Sequence, residues 1–170
     1  MTSMEVKKNK KFFKPYTKVN DNNVVIMWDF CPVLKKNARG EDVETPLAVW
    51  QEYKFDYVPE LSEIKYVITE YYNNIINKNI ISGLVWRNMQ IWLTNENQFN
   101  YKAAYDLAIQ TNGETLPITF KFGDNENVIY YEFKTIEDLK DFYMTTINYV
   151  QKKLKDGWIK KDSINWNFYK

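Results

Sequence analysis

The apolar period along this chain alternates between about two and about 3.6 residues three times over, which narrows the fold more than any other feature. Val24-Val25-Ile26-Met27-Trp28-Asp29-Phe30 is a β-rich run that Pro32 is expected to end. From Leu47 to Tyr57 a second strand places Val49, Tyr53, Phe55 and Tyr57 on one face and Glu52, Lys54 and Asp56 on the other. The polar stretch 35–45, with Gly40, reads as the loop between them. Pro59 opens a helix at a position where its missing N–H costs nothing. Leu61, Ile64, Val67, Ile68, Tyr71, Tyr72 and Ile75 carry that helix to about Lys78, and Gly83 closes the segment.

The pattern then repeats. Leu84-Val85-Trp86 and Met89 to Leu93 flank Arg87-Asn88, a tight hairpin in which Asn88 takes a positive φ. Thr94 caps a second helix with Phe99, Ala103, Ala104, Leu107 and Ala108 as its expected buried stripe, and Gly113 stops it. Leu116, Ile118, Phe120 and Phe122 alternate with Thr119 and Lys121, residues 123–127 turn the chain, and Val128 to Phe133 returns. Thr135 caps a third helix, with Asp138 expected to reach back as in a capping box. Leu139, Phe142, Tyr143, Thr146, Ile147, Val150 and Leu154 form its stripe, which Asp156-Gly157 is expected to end.

Hairpins alternating with helices predict an α+β fold of three successive strand-strand-helix units, a mostly antiparallel sheet packed against helices, with an arm at each end. No sequence period matches the three units. The expected organisation is a basic N-terminal arm over 1–20, a single α+β domain over 21–157, and an aromatic C-terminal tail over 158–170.

Composition decides what chemistry is open to such a body. Histidine is absent and Cys31 is the single cysteine. His-based nucleophile systems, imidazole metal sites and cysteine-type zinc sites are therefore excluded, as is an intrachain disulfide. No P-loop, dinucleotide-binding glycine pattern or calcium loop is present, so no cofactor is expected. Cys31 reads as a small buried apolar residue. The nearest approach to an enzyme is Asp124 with Glu132-Phe133-Lys134, the acid and acid-x-lysine pattern of a Mg²⁺-dependent nuclease. The same spacing recurs at Glu5/Lys7, Glu52/Lys54 and Glu63/Lys65, so solvent-facing charge pairs account for it as well.

Aromatic residues make up 17% of the chain, with 13 Tyr, 10 Phe and 6 Trp, an unusual count of side chains that are enriched at interfaces as well as in cores. They mix with lysine at both ends. Lys7, Lys8, Lys10, Lys11, Phe12, Phe13 and Tyr16 form one cluster; Trp158, Trp166, Phe168 and Tyr169 form the other. Either set grips a neighbouring chain, or it is a solvated tail or a segment packed back on the body. Of the 23 basic residues all but Arg39 and Arg87 are lysine, and the net charge is +1. Nucleic acid is for that reason the less favoured partner. No run of apolar residues is long enough for a membrane span, and no apolar h-region follows the first lysines, so synthesis in a reducing cytoplasm is expected.

Several segments in order carry a likeness: Val85-Trp86-Arg87-Asn88-Met89-Gln90-Ile91-Trp92-Leu93, Asn97-Gln98-Phe99-Asn100-Tyr101-Lys102-Ala103-Ala104, Leu116-Pro117-Ile118-Thr119-Phe120-Lys121-Phe122-Gly123, Asp156-Gly157-Trp158 and Lys160-Lys161-Asp162-Ser163-Ile164. This succession resembles a domain of bacteriophage tail and tail-fibre-associated proteins, in the version of crAss-like gut phages and related prophages, over residues 83–165. The resemblance implies a virion or virion-assembly role and brings no catalytic residues. The expectation is a structural virion protein of the tail or neck, a ring or connector subunit or a fibre attachment, present in the host cytoplasm during assembly. Its expected partners are further copies of itself and other tail, portal or fibre proteins. An assembly chaperone and the Mg²⁺-dependent nuclease are the alternatives.

Overall fold

The N-terminal third builds around one long antiparallel hairpin in this computed structural model, which describes residues 7–124 and 126–170. Strands β3 (Asn23–Lys36) and β4 (Asp42–Phe55) pair from Val24↔Phe55 through Ile26↔Tyr53 to Lys36↔Asp42. Strand β1 (Lys8–Asn9) adds to β4 and β2 (Tyr16–Asn20) adds to β3, giving the order β1-β4-β3-β2. Residues 8–9 and 16–20 are therefore sheet, joined through a 3₁₀ turn at Lys10–Phe12, and the expected arm is tied to the sheet among the described residues; residues 1–6 lie outside them. The period-2 pattern explains the sheet's inner face: Val24, Ile26 and Trp28 are buried while Val25 and Met27 are half-buried.

Pro32 does not end β3. The register shifts on either side of it, and Asp29 takes φ 56°. Those irregularities let a proline with no N–H sit opposite Ala48 inside a strand. The loop shrinks to 37–41, where the Asn37 side chain accepts from the N–H groups of Arg39 and Glu41 and Gly40 supplies φ 79°. Cys31 is exposed, against the expectation of burial, because it lies in this irregular stretch.

The chain forms two compact units, not a single domain over 21–157: one holds the described residues up to Glu70 with Ile164–Lys170, the other Tyr71–Ser163. Helix α1 (Leu61–Ser82) gives its first ten residues to the first unit and the rest to the second. In the first unit Ile64 and Ile68 are fully buried along with Val24, Ile26 and Ala48. A 3₁₀ turn at Trp166–Tyr169 closes it: Tyr169 is buried and its hydroxyl donates to the Met27 carbonyl at 2.8 Å.

The second unit contains two further hairpins, β5 (Leu84–Trp86) with β6 (Met89–Ile91) and β7 (Ile118–Gly123) with β8 (Val128–Phe133). Arg87 and Asn88 take φ 47° and 62°, so the first is a tight primed turn as its sequence predicts. Helix α2 (Asn95–Gln110) begins at Thr94, whose side chain accepts from Asn97 N–H. Helix α3 (Ile136–Asp162) begins at Thr135 in the same way. Leu139 and Phe142 from α3 join Phe122, Phe133, Trp86, Tyr101 and Ile91 in one buried cluster. Trp86 lies 5.1 Å from Phe142 and 5.8 Å from Phe133.

Gly157 does not stop α3; the helix runs through it to Asp162. Its place has a packing reason, because a Cβ there would collide with the Ile76 side chain of α1. Trp158 is thus a helical residue, and the expected tail over 158–170 begins as helix. The α+β class holds: among the described residues every strand pair is antiparallel and the strand-strand-helix order repeats three times, with β1 and β2 added ahead of it.

Candidate interaction surface

The structure divides the two terminal clusters into residues used by the fold and residues left on the surface. Phe13 packs on Phe30 at 4.8 Å and Trp50 at 5.8 Å. Tyr16 is a β2 residue opposite Ile26. Trp166 lies 6.1 Å from Tyr169 and under the Lys65 ammonium. Lys8 and Lys10 pair with Glu52 and Glu44 at 2.7 and 2.9 Å across the sheet. Lys11 lies over the Phe12 ring and Lys7 is exposed. What remains open is Phe12, Trp158 and Phe168, each more than half exposed. The described residues of both ends are largely folded home, because strand pairing and a buried Tyr169 satisfy more backbone and ring area than a free arm could.

The larger unspent surface is on α2. Its expected stripe splits in two. Tyr101 and Ala108 are buried, whereas Phe99 is 70% and Leu107 48% exposed, with Ala103 exposed between them. Residues 99 and 101 are about 200° apart around a helix, so only one of the two faces can turn inward. The inward choice follows from the rings across from it. Tyr101 meets Phe120 at 4.8 Å and Phe142 at 4.9 Å, and Tyr105 stacks on Tyr143 at 4.7 Å. Tyr101 gains that contact at the cost of burying its hydroxyl, which pushes its pKa up to about 12. The outer face keeps Phe99, Ala103 and Leu107 at four-residue spacing, flanked by the Lys102–Asp106 ion pair. An apolar stripe of this spacing facing water, beside a charged flank, has the pattern of a helix prepared to be covered.

A polar cluster at the β5–β6 turn was not legible in the sequence beyond the rarity of arginine. Arg87 bonds Asp138 at 2.7 Å and Asp141 at 3.2 Å, donates to the Tyr131 hydroxyl at 2.6 Å, and covers the Trp86 ring at 4.2 Å. The Tyr131 hydroxyl in turn donates to Asp138 at 2.8 Å, and Trp86 Nε1 donates to Asp141 at 3.2 Å. Desolvation works against the guanidinium charge. The Asp138 bond and the surrounding negative groups outweigh it and raise the Arg87 pKa. Asp138 thus receives the Thr135 cap through its backbone N–H, while its carboxylate turns to Arg87 and Tyr131 and not back along the helix. The cluster ties hairpin, strand and helix together.

The acid and acid-x-lysine residues do not converge. The Asp124 carboxylate accepts from Glu126 and Asn127 N–H at 2.9 and 2.7 Å, a turn-closing role that holds its pKa low. Asn125 of that turn lies outside the described residues. Glu132 is opposite Thr119, about 13 Å of strand rise beyond Val128, and pairs with Lys134 at 3.1 Å. Among the described residues no three His, Cys, Asp or Glu side chains gather to hold a metal ion, and no helix is long and apolar enough to cross a membrane. No family model, no curated protein and no solved structure matches this chain.

Proposed function

We propose that this chain is a non-catalytic attachment subunit, joining copies of itself and neighbouring proteins in a bacteriophage tail or neck. The observation that carries the reading is the outer face of α2: Phe99, Ala103 and Leu107 form an amphipathic stripe that the chain's own fold leaves in water. Soluble domains seldom expose an apolar helix stripe without a partner for it. Phe12, Trp158 and Phe168 add exposed anchors of the ring-bearing kind that interfaces favour. The likeness of residues 83–165 to tail-associated domains supplies the setting, and α2 lies within that stretch.

The test is the native mass of the full chain, alone and in particles, against the double variant Phe99→Asp with Leu107→Asp. Because both side chains are exposed, the variant is expected to keep its circular dichroism spectrum while losing self-association and incorporation. A wild-type chain that stays monomeric at high micromolar concentration and is missing from purified particles overturns the proposal.

A further inference from the structure

A cleft in the first unit suits a different kind of ligand. It lies between the end of β4 and the first turns of α1 and has a volume of ≈ 410 Å³, within the range of small-ligand sites. Pairing of β4 with β3 sets Tyr53 and Phe55 on one side of the sheet, and Tyr57 follows at the next alternate position. Phe55 is buried at the back, 4.9 Å from the Tyr53 ring and 5.5 Å from the Tyr57 ring. Tyr53 and Tyr57 remain 46% and 45% exposed. From α1, Glu63 and Tyr66 enter on one helix face at three-residue spacing, and Tyr66 is 69% exposed.

Among the described residues Glu63 is the one charged side chain lining this space. Its Oε1 accepts from the Tyr57 hydroxyl at 2.7 Å and its Oε2 from Glu60 N–H at 2.8 Å. Those two bonds hold its pKa below the usual carboxylate range, so it is an anion at neutral pH. The Tyr57 pKa moves up, first through its bond to Glu63, with burial and the negative field of Glu63, Tyr53 and Asp56 adding to the shift. The cleft therefore joins three partly open phenol rings to one fixed negative charge, with no lysine or arginine lining it among the described residues.

Ring faces and a carboxylate attract cations. Which cation follows from the hydrogen bonding. Each Glu63 oxygen already accepts one bond and keeps one further lone pair, so two acceptor positions would face the three N–H groups of a primary ammonium. A primary ammonium would give up strong hydration for few replacements, whereas a methylated ammonium, with no N–H to satisfy, gives up least. We propose that the Tyr53, Tyr57, Tyr66 and Glu63 cleft binds a trimethylammonium group. This inference is independent of the attachment reading, which rests on α2.

The test is a titration of the full chain with choline chloride at constant ionic strength, followed by tyrosine fluorescence and amide shifts. Ethanolamine and 3,3-dimethylbutan-1-ol serve as the unmethylated cation and the neutral isostere. Choline is expected to bind in the millimolar range and at least about tenfold more tightly than either. Tyr66→Ala, at an exposed position, and Glu63→Gln are each expected to weaken choline about threefold to tenfold. An Nε-trimethyllysine tetrapeptide distinguishes the sources: tighter binding than choline assigns a protein side chain, weaker binding a free small cation, and both support the site. Equal binding of choline and the neutral isostere, no saturation by choline, or an unchanged Kd in Tyr66→Ala would each overturn it.

Discussion

The two units build their cores differently from the same abundance of rings. In Tyr71–Ser163 the rings form the core: Trp86, Tyr101, Phe122, Phe133 and Phe142 belong to one buried cluster, with Phe120 and Tyr131 packed on it, while Phe99, Tyr130 and Trp158 stand outside it at the surface. In the first unit the fully buried side chains are largely aliphatic, while Phe12, Phe30, Tyr53, Tyr57 and Tyr66 stand at the surface. The units also close differently. The second is one continuous segment, whereas the first needs the last seven residues, Ile164–Lys170, to return from the far end of the chain. An aromatic count by itself thus assigns neither core nor contact surface; a ring goes inside where elements close in sequence bring other rings to meet it.

The largest effect that bears on this contrast comes from the ring core. Phe142→Ala is expected to cost about 3–5 kcal/mol in denaturant unfolding, because Phe142 is fully buried and touches Trp86, Tyr101, Phe122 and Phe133. A cost under about 1 kcal/mol would mean that the rings do not act as one core. Next is Tyr169→Ala, expected to cost about 3 kcal/mol. Hydrogen exchange is then expected to speed up in β3 and β2 while α3 amides keep their protection; equal loss in both units would remove the distinction between them.

Alkali should separate the units by a smaller amount. Burial pushes both Tyr101 and Tyr169 up to about 12. In the unfolded chain tyrosine ionises near 10, so the folded state holds protons that the unfolded state has released. Their contribution is complete below pH 10 and is lost as pH rises from 10 to 12, by about 2 kcal/mol for the deeply buried Tyr101. Tyr101→Phe is expected to flatten that loss for the second unit; an unchanged pH profile would count against its burial. The smallest effect is at the helix contact. Gly157→Ala is expected to destabilise by about 1–2 kcal/mol because of Ile76, although alanine favours a helix by about 1 kcal/mol over glycine. A gain in melting temperature would show that the helices have room to part.

Much of the fold was legible because its signals are local. Thr94 and Thr135 cap the helices they were expected to cap, Arg87-Asn88 makes its turn, and the strand-strand-helix order recurs. The misses share one cause, which is that the deciding partner lies far away in sequence. Gly157 reads as a stop until Ile76 is beside it. Phe99 and Tyr101 are equally apolar choices until Phe120 and Phe142 select one. The basic stretch before Lys18 reads as an arm until the β4 carboxylates Glu44 and Glu52 pair with Lys10 and Lys8. The candidate site was less legible still: the sequence makes α2's outer face part of a buried stripe, places Tyr57 on a strand face, offers Glu63 as a charge pair with Lys65, and gives no signal at Tyr66.

The sequence by itself determined the class of fold, the turns and caps, and the exclusion of histidine and disulfide chemistry, because each depends on residue type or on neighbours within a few positions. Only the tertiary structure decided which face of α2 turns to water, where α3 ends, that Lys8–Asn9 and Tyr16–Asn20 join a sheet while Trp166–Tyr169 makes a closing turn, and which tyrosines share a cleft with Glu63. Those outcomes depend on surfaces brought together across long stretches of chain, where the apolar area that each alternative removes from water selects one packing.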